Sequence, residues 1–160
     1  MRNLLAAFVA FAALTIVVES APANARDLPP KGLTRELVAS WLKGRGYSAE
    51  IKVDSISGDT YVATSSNGVN FGVYFYGCDG DDCPDIQYSA GWTDASAITS
   101  DKLDDWNRDH RYVRAYLSKS GAAFGEYDVD VAPGGTWEQL NHSLDRWVQA
   151  LPEFKTFIGE

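Results

Sequence analysis

Thr60-Tyr61-Val62-Ala63-Thr64-Ser65-Ser66-Asn67-Gly68-Val69-Asn70-Phe71-Gly72-Val73-Tyr74-Phe75-Tyr76 is a β-hairpin written out in sequence. Asn-Gly at positions 67 and 68 is the strongest short-range hairpin signal, because both central residues of a type I′ turn need positive φ. The flanking runs, 60–65 and 69–76, alternate with a period of two, as a strand with one buried face does. In the second run, Val69, Phe71, Val73 and Phe75 fall on one face, the expected core face. Asn70, Gly72, Tyr74 and Tyr76 fall on the other.

The same period continues outward. Ile51 and Val53 alternate with charged residues upstream, and Ile86 to Trp92 extends the sheet downstream. Tyr112 to Leu117 and Ala123 to Val131 flank Lys119-Ser120-Gly121 as a further hairpin. In the first of these strands, Val113, Ala115 and Leu117 share one face and Tyr112, Arg114 and Tyr116 the other. Three stretches instead follow a helical period. Thr34 caps a helix to about Lys43 with Leu37, Val38, Trp41 and Leu42 on one side. Ser100 caps a shorter one carrying Leu103 and Trp106. Thr136 and Gln139 have capping-box spacing ahead of Trp137, Leu140, Leu144, Trp147, Val148 and Leu151. Pro152 is expected to end or kink that helix, with Phe154 and Phe157 in a last turn. The expectation is an α+β domain in the order α-β-β-β-β-α-β-β-α, with an antiparallel sheet of five to six strands and the helices on one face.

Met1-Arg2-Asn3 supplies a positive start, Leu4 to Val18 an apolar run, and Ala23-Asn24-Ala25 a small-x-small site. This order reads as a secretory signal cleaved after Ala25, too short for a membrane span. Residues 1–25 are thus expected to be a signal peptide, 26–32 a linker around Pro29-Pro30, and 33–160 one globular domain, periplasmic or secreted. The net charge is −8. An acidic chain repels phosphate backbones and anionic bilayers, so neither nucleic acid nor, after signal cleavage, a membrane is an expected partner.

Cys78 and Cys83 are the only cysteines and bracket Asp79-Gly80-Asp81-Asp82. In an exported chain such a pair is expected as a disulfide; the spacing is not the C-x-x-C of redox pairs, and zinc would need further ligands. Asp79, Asp81, Asp82 and Asp85 raise the thought of calcium, but the twelve-residue loop with its bidentate glutamate is missing, and a solvated acidic turn is the expectation. Gly44-Arg45-Gly46-Tyr47-Ser48-Ala49 has the letters of a dinucleotide fingerprint but follows a helix and opens a strand, the reverse of what that motif requires. His110 and His142 have no nucleophile at a readable spacing. No catalytic residue, cofactor or metal site is assigned. A sheet face with Tyr74, Tyr76, Tyr112, Arg114 and Tyr116 has the composition of an interface, where tyrosine and arginine are enriched. The alternative is a solvated face of tyrosines paired across strands.

Trp106-Asn107, Arg114-Ala115-Tyr116-Leu117, Glu126-Tyr127-Asp128, Gly134-Gly135, Trp147, Ala150-Leu151 and Phe154 follow one another in an order that resembles the YbjN-type domain, a bacterial family labelled as sensory transduction regulators. Gly68-Val69-Asn70-Phe71 and Phe75-Tyr76-Gly77-Cys78 fit the exported members, so the resemblance spans about Leu33 to Phe157. It implies a fold similar to the chaperones of type III secretion, commonly dimeric, and implies no catalytic residues. The function expected is a non-enzymatic exported binding module, chaperone-like or regulatory, that holds a protein or peptide partner or a second copy of itself. Two alternatives are an acidic inhibitor of a cell-wall hydrolase, on the acidic turn, and a small periplasmic hydrolase.

Overall fold

A computed structural model describes residues 27–160 apart from 56, 94 and 96. The expected signal peptide, 1–25, lies outside the described residues. The described chain forms α1 (Arg35–Gly44), β1 (Glu50–Val53), β2 (Thr60–Ser66), β3 (Val69–Tyr76), β4 (Asp85–Trp92), α2 (Ser100–Asp109), β5 (Arg114–Leu117), β6 (Ala123–Asp130) and α3 (Trp137–Phe157). This is the expected α+β order, with three helices and a six-stranded antiparallel sheet. The strands lie in the order β1-β2-β3-β4-β6-β5.

The central hairpin forms as its sequence dictates. Asn67 and Gly68 have φ of 50° and 76°, so Ser66 pairs with Val69 and Val62 with Val73. Val69, Phe71 and Val73 are buried, and Asn70 and Tyr76 are exposed. The helices cover the face that holds Phe71, Val73, Ile86 and Tyr88. Trp147 of α3 stacks on Tyr88 at 5.9 Å and meets Phe71 edge-on at 5.8 Å. The Tyr88 hydroxyl, drawn into the core with its ring, is paired with Ser143 Oγ at 2.9 Å, which satisfies an otherwise costly buried group. Trp41 Nε1 of α1 donates to Asn141 Oδ1 of α3 at 2.9 Å and ties the two helices together. β1 is an edge strand on which Ile51 and Val53 stay exposed.

Four local expectations change. The cap of α2 is Thr99, one residue before Ser100, and its side chain accepts from the Lys102 amide. Pro152 does not end the third helix, which runs on to Phe157. Burial of Leu151 and Phe154 on one side of it outweighs the single hydrogen bond that a proline removes. The segment read as a linker lies against the domain. Leu28 is 5% exposed, its amide donates to Gly135 O, and Leu33 and Cys83 exchange both backbone bonds. Prolines stiffened this stretch, but two leucines give it an apolar side to bury. The fourth concerns Tyr112, which lies ahead of β5 rather than in it.

Candidate functional site

The face of the sheet opposite the helices is the candidate site. Register fixes its contents. Gly72 pairs with Ser89, Tyr74 with Gln87, Tyr76 with Asp85, and Asp128 with Gln87. Arg114 pairs with Glu126 and Tyr116 with Phe124. Tyr74, Tyr76, Arg114 and Tyr116, four of the five residues expected there, are brought together.

Tyr112 is not. It has φ of 74°, outside the strand conformation, and its ring is 5.7 Å from Tyr127 and 4.8 Å from the Arg146 guanidinium of α3. Tyr127 pairs with the core residue Tyr88, so Tyr112 lies on the helix side. The extrapolated alternation failed because the backbone turns before β5 begins.

The aromatic rings on the open face lie flat over glycines. Tyr61 and Tyr74 are stacked at 4.9 Å, and a Cβ at Gly72 would fall 2.7 Å from Tyr74 and 2.9 Å from Tyr61. Phe124 lies likewise over Gly91 and stacks with Tyr116 at 5.5 Å. Between and beside the rings are two depressions, a trough of about 660 Å³ floored by Ala63, Gly72, Ser89 and Gly91, and a smaller one of about 280 Å³ bounded by Asp54, Asp59, Tyr74, Tyr76, Phe124 and Glu126.

The polar atoms of this face form a network. Tyr76 Oη donates to Gln87 Oε1 at 3.1 Å, and Gln87 Nε2 to Asp128 Oδ1 at 2.7 Å. Glu126, buried although it faces outward, accepts from Tyr116 Oη at 2.8 Å and from Arg114 Nη2. Tyr74 Oη donates to Asp54 Oδ2 at 3.3 Å. Burial, and then the bond to Glu126, push the Tyr116 phenol up to about 12. Burial raises Tyr74 as well, followed by the charge of Asp54. For Tyr76 burial is again first, with Glu126, Asp128 and Asp59 adding. All three phenols are neutral donors at physiological pH. Burial, then Asp130 across the strand, raises Asp85 from its ordinary value. These groups offer donors and acceptors at fixed places.

Sequence reading missed Tyr61, Gln87, Phe124 and Glu126 as parts of this face. Counting back from the Asn67-Gly68 turn sets Tyr61 opposite Tyr74, so that one was recoverable. Phe124 and Glu126 were recoverable in the same way, since the hairpin around residues 119–121 sets them opposite Tyr116 and Arg114. What nothing in the sequence reveals is that β6 inserts beside β4, which brings Asp128 against Gln87.

The other candidates are dispersed. Cys78 and Cys83 form the disulfide. Asp79 and Asp82 bridge within its turn, whereas Asp85 lies on β4. Among the described residues no group of three or more His, Cys, Asp or Glu is placed to hold a metal ion. His110 stacks on Trp106 at 3.6 Å, and exposed His142 faces Glu138 at 3.8 Å. No helix of the described residues is long and apolar enough to cross a membrane.

The model of the YbjN family, described as "putative bacterial sensory transduction regulator", matches residues 34–160. The chain belongs to this family. No curated protein matches it.

The residues that carried the YbjN resemblance are joints of the fold. Trp106 Nε1 donates to Val113 O at 3.1 Å. Asn107 acts as a substitute strand partner, donating to Ala115 O at 2.9 Å and accepting from Ala115 N at 2.8 Å. Arg114 and Glu126 are the ion pair of the open face. Phe154 packs over Gly125, where a Cβ would lie 3.1 Å from its ring.

Proposed function

We propose that this YbjN domain is a non-enzymatic binding module, exported after cleavage behind Ala25, whose open sheet face holds a protein or peptide partner through a basic segment. The observation that most supports this is the smaller depression, where Asp54, Asp59 and Glu126 surround the rings of Tyr74, Tyr76 and Phe124. An ammonium or guanidinium entering it would meet ring faces and carboxylates together, the two environments that favour a cation. Rings already stacked on the sheet lose little freedom on binding. The regulatory description of the family agrees with a binder, and a disulfide agrees with an oxidising compartment.

The test is proximity cross-linking in intact cells, comparing the wild type with a Tyr76→Ala, Asp128→Lys double variant that retains the Arg114–Glu126 pair. The expected result is one or a few envelope proteins captured through Lys- or Arg-bearing segments by the wild type and lost with the variant. Equal capture of those segments by the variant would overturn the sheet-face reading. Lysozyme that loses activity at excess protein would instead favour the inhibitor alternative, carried by the exposed acidic turn 79–82. Turnover in an esterase, phosphatase and glycosidase screen would favour the hydrolase.

A further inference from the structure

We propose that the Cys78–Cys83 disulfide is a thiol–disulfide exchange site, attacked at Cys78 and poised by Arg35. Three observations bear on it together.

The first is the placement of Arg35. Its Nη1 donates to Cys83 Sγ at 3.6 Å and its Nη2 to Cys78 Sγ at 3.9 Å, so one guanidinium spans both sulfurs. It is held there by Thr60 O, 3.5 Å from Nε, and by the Phe75 ring, 4.9 Å from Cζ. A cation beside a neutral disulfide gains little from it. The same cation beside a thiolate stabilises the charge, lowers the thiol pKa and makes the bond easier to reduce. The guanidinium therefore favours the reduced state over the oxidised one.

The second is asymmetry. Cys78 is exposed, and Cys83 is fully buried. An incoming thiolate reaches Cys78 Sγ and not Cys83 Sγ. Its sulfur lone pair forms the new S–S bond to Cys78, and the Cys78–Cys83 bond breaks with its electron pair leaving on Cys83 as a thiolate. That thiolate is the one that Nη1 contacts. Overall a thiol is joined to Cys78 and a thiol is released at Cys83; a second equivalent of thiol completes the reduction, leaving two cysteine thiols and one external disulfide.

The third is that exchange need not dismantle the fold. Leu33 N donates to Cys83 O at 2.9 Å and Cys83 N to Leu33 O at 3.1 Å, so backbone bonds keep Cys83 in place without the disulfide. Cys78 instead begins an exposed turn in which Gly77 and Gly80 have φ near 65° and which Asp79 and Asp82 close by their own backbone bonds, independently of the disulfide. A fixed resolving sulfur behind an exposed attacked one is what reversible exchange requires.

Asp79, Asp81 and Asp82 act in the opposite sense to Arg35, since negative charge disfavours a thiolate. They are solvated, and Lys31 lies 3.9 Å from Asp79, so screening leaves the guanidinium in direct contact as the larger influence. Their field also repels anionic thiols, and a neutral or cationic thiol is the preferred reactant.

The test equilibrates the purified protein in glutathione buffers of graded ratio, alkylates free thiols and reads the oxidised fraction by mass spectrometry. Arg35→Gln is expected to need a buffer about tenfold more reducing for half-reduction, the change that goes with about one pKa unit at a thiol, and Arg35→Lys to recover part of the difference. Half-reduction of folded Arg35→Gln in the same buffer as the wild type would overturn the proposal. Because Arg35 also braces Thr60 and Phe75, a second measurement uses the wild type alone. Brief exposure to glutathione or cysteamine, acid quenching and peptide mapping should place the mixed disulfide on Cys78, with cysteamine reacting faster per thiolate. An adduct on Cys83, or no adduct while the protein remains folded, would overturn it equally.

Discussion

Glu126 is where the open face is most sensitive to a single change. Its side chain is only 10% exposed and is compensated by Arg114, whose own side chain is 63% exposed. An exposed ion pair contributes little, but the carboxylate here is mostly desolvated and has two donors to lose. Arg114→Ala should therefore cost about 1–3 kcal/mol in urea denaturation, most of it from Glu126 left with Tyr116 alone. In an Arg114→Ala, Glu126→Gln double variant the two costs should fall short of additivity by about 1 kcal/mol; strict additivity would mean that the pair is not coupled. Asp85 yields a pH dependence of opposite character. Burial first, and Asp130 second, raise its folded pKa above the ordinary 3.8, so the folded state holds a proton that the unfolded chain has already lost. Stability then falls as pH rises from about 3.8 through the raised value, and remains lower above it. Asp85→Asn should raise the melting temperature at pH 7 by about 1–3 °C and leave it unchanged at pH 3, where both states are protonated. An equal gain at both pH values would show that the charge is not responsible.

At the scale of elements, local chemistry that is complete within a few residues was legible, and geometry imposed from elsewhere was not. Asn67-Gly68 fixed a hairpin, and Thr136 with Gln139 fixed the start of α3, where both bonds of the capping box form. Thr136→Ala should cost about 1 kcal/mol, read as a shift in denaturation midpoint at unchanged slope. The end of the same helix was read in part: Phe154 and Phe157 do form its last turn, but Pro152 does not end it. Pro152 is a stop signal by itself, and only the sheet and α2 on which Leu151 and Phe154 land override it. Replacing it by alanine restores one backbone donor within a helix already held by packing. Pro152→Ala is thus expected to stabilise the protein by about 1 kcal/mol, net of the greater freedom it gives the unfolded chain. A loss of stability would mean that the proline itself packs usefully. Strand alternation failed in the same way at Tyr112. The pattern Val113, Ala115, Leu117 was correct, but a positive φ one residue earlier lies outside any period of two. The contact between the two halves of the candidate face was missed for a topological reason. β5 and β6 are neighbours in sequence, yet it is β6 that joins β4, and this brings Glu126 and Asp128 against Tyr76 and Gln87.

For the whole molecule, the physical domain begins earlier than either Pro29-Pro30 or the family match at residue 34 implies. Leu28 and Leu33 are 5% and 0% exposed and belong to the same core as Val38, Leu42 and Val131. Leu28 is anchored through Gly135 on the approach to α3 and Leu33 through Cys83 at the disulfide, so this short strap joins two distant loops. Gly32 is required by that route, with φ of 117° and the Cys83 carbonyl directly against the position of a Cβ. Burial of two leucines contributes about 3–6 kcal/mol at about 1.5–3 each. Against a total stability of about 5–15 kcal/mol, that is a large share. A protein beginning at Thr34 should therefore unfold at a markedly lower denaturant concentration than one beginning at Arg26, by about 3–6 kcal/mol on extrapolation to water. Its urea slope should fall slightly, since less surface is buried. Equal stability of the two would mean that the strap merely rests on a core complete without it. A loss of the expected size would also separate two roles of the Cys83 region. The strap would then hold Cys83 whether or not its sulfur is bonded to Cys78, which is the condition for the disulfide to open and close in a folded protein.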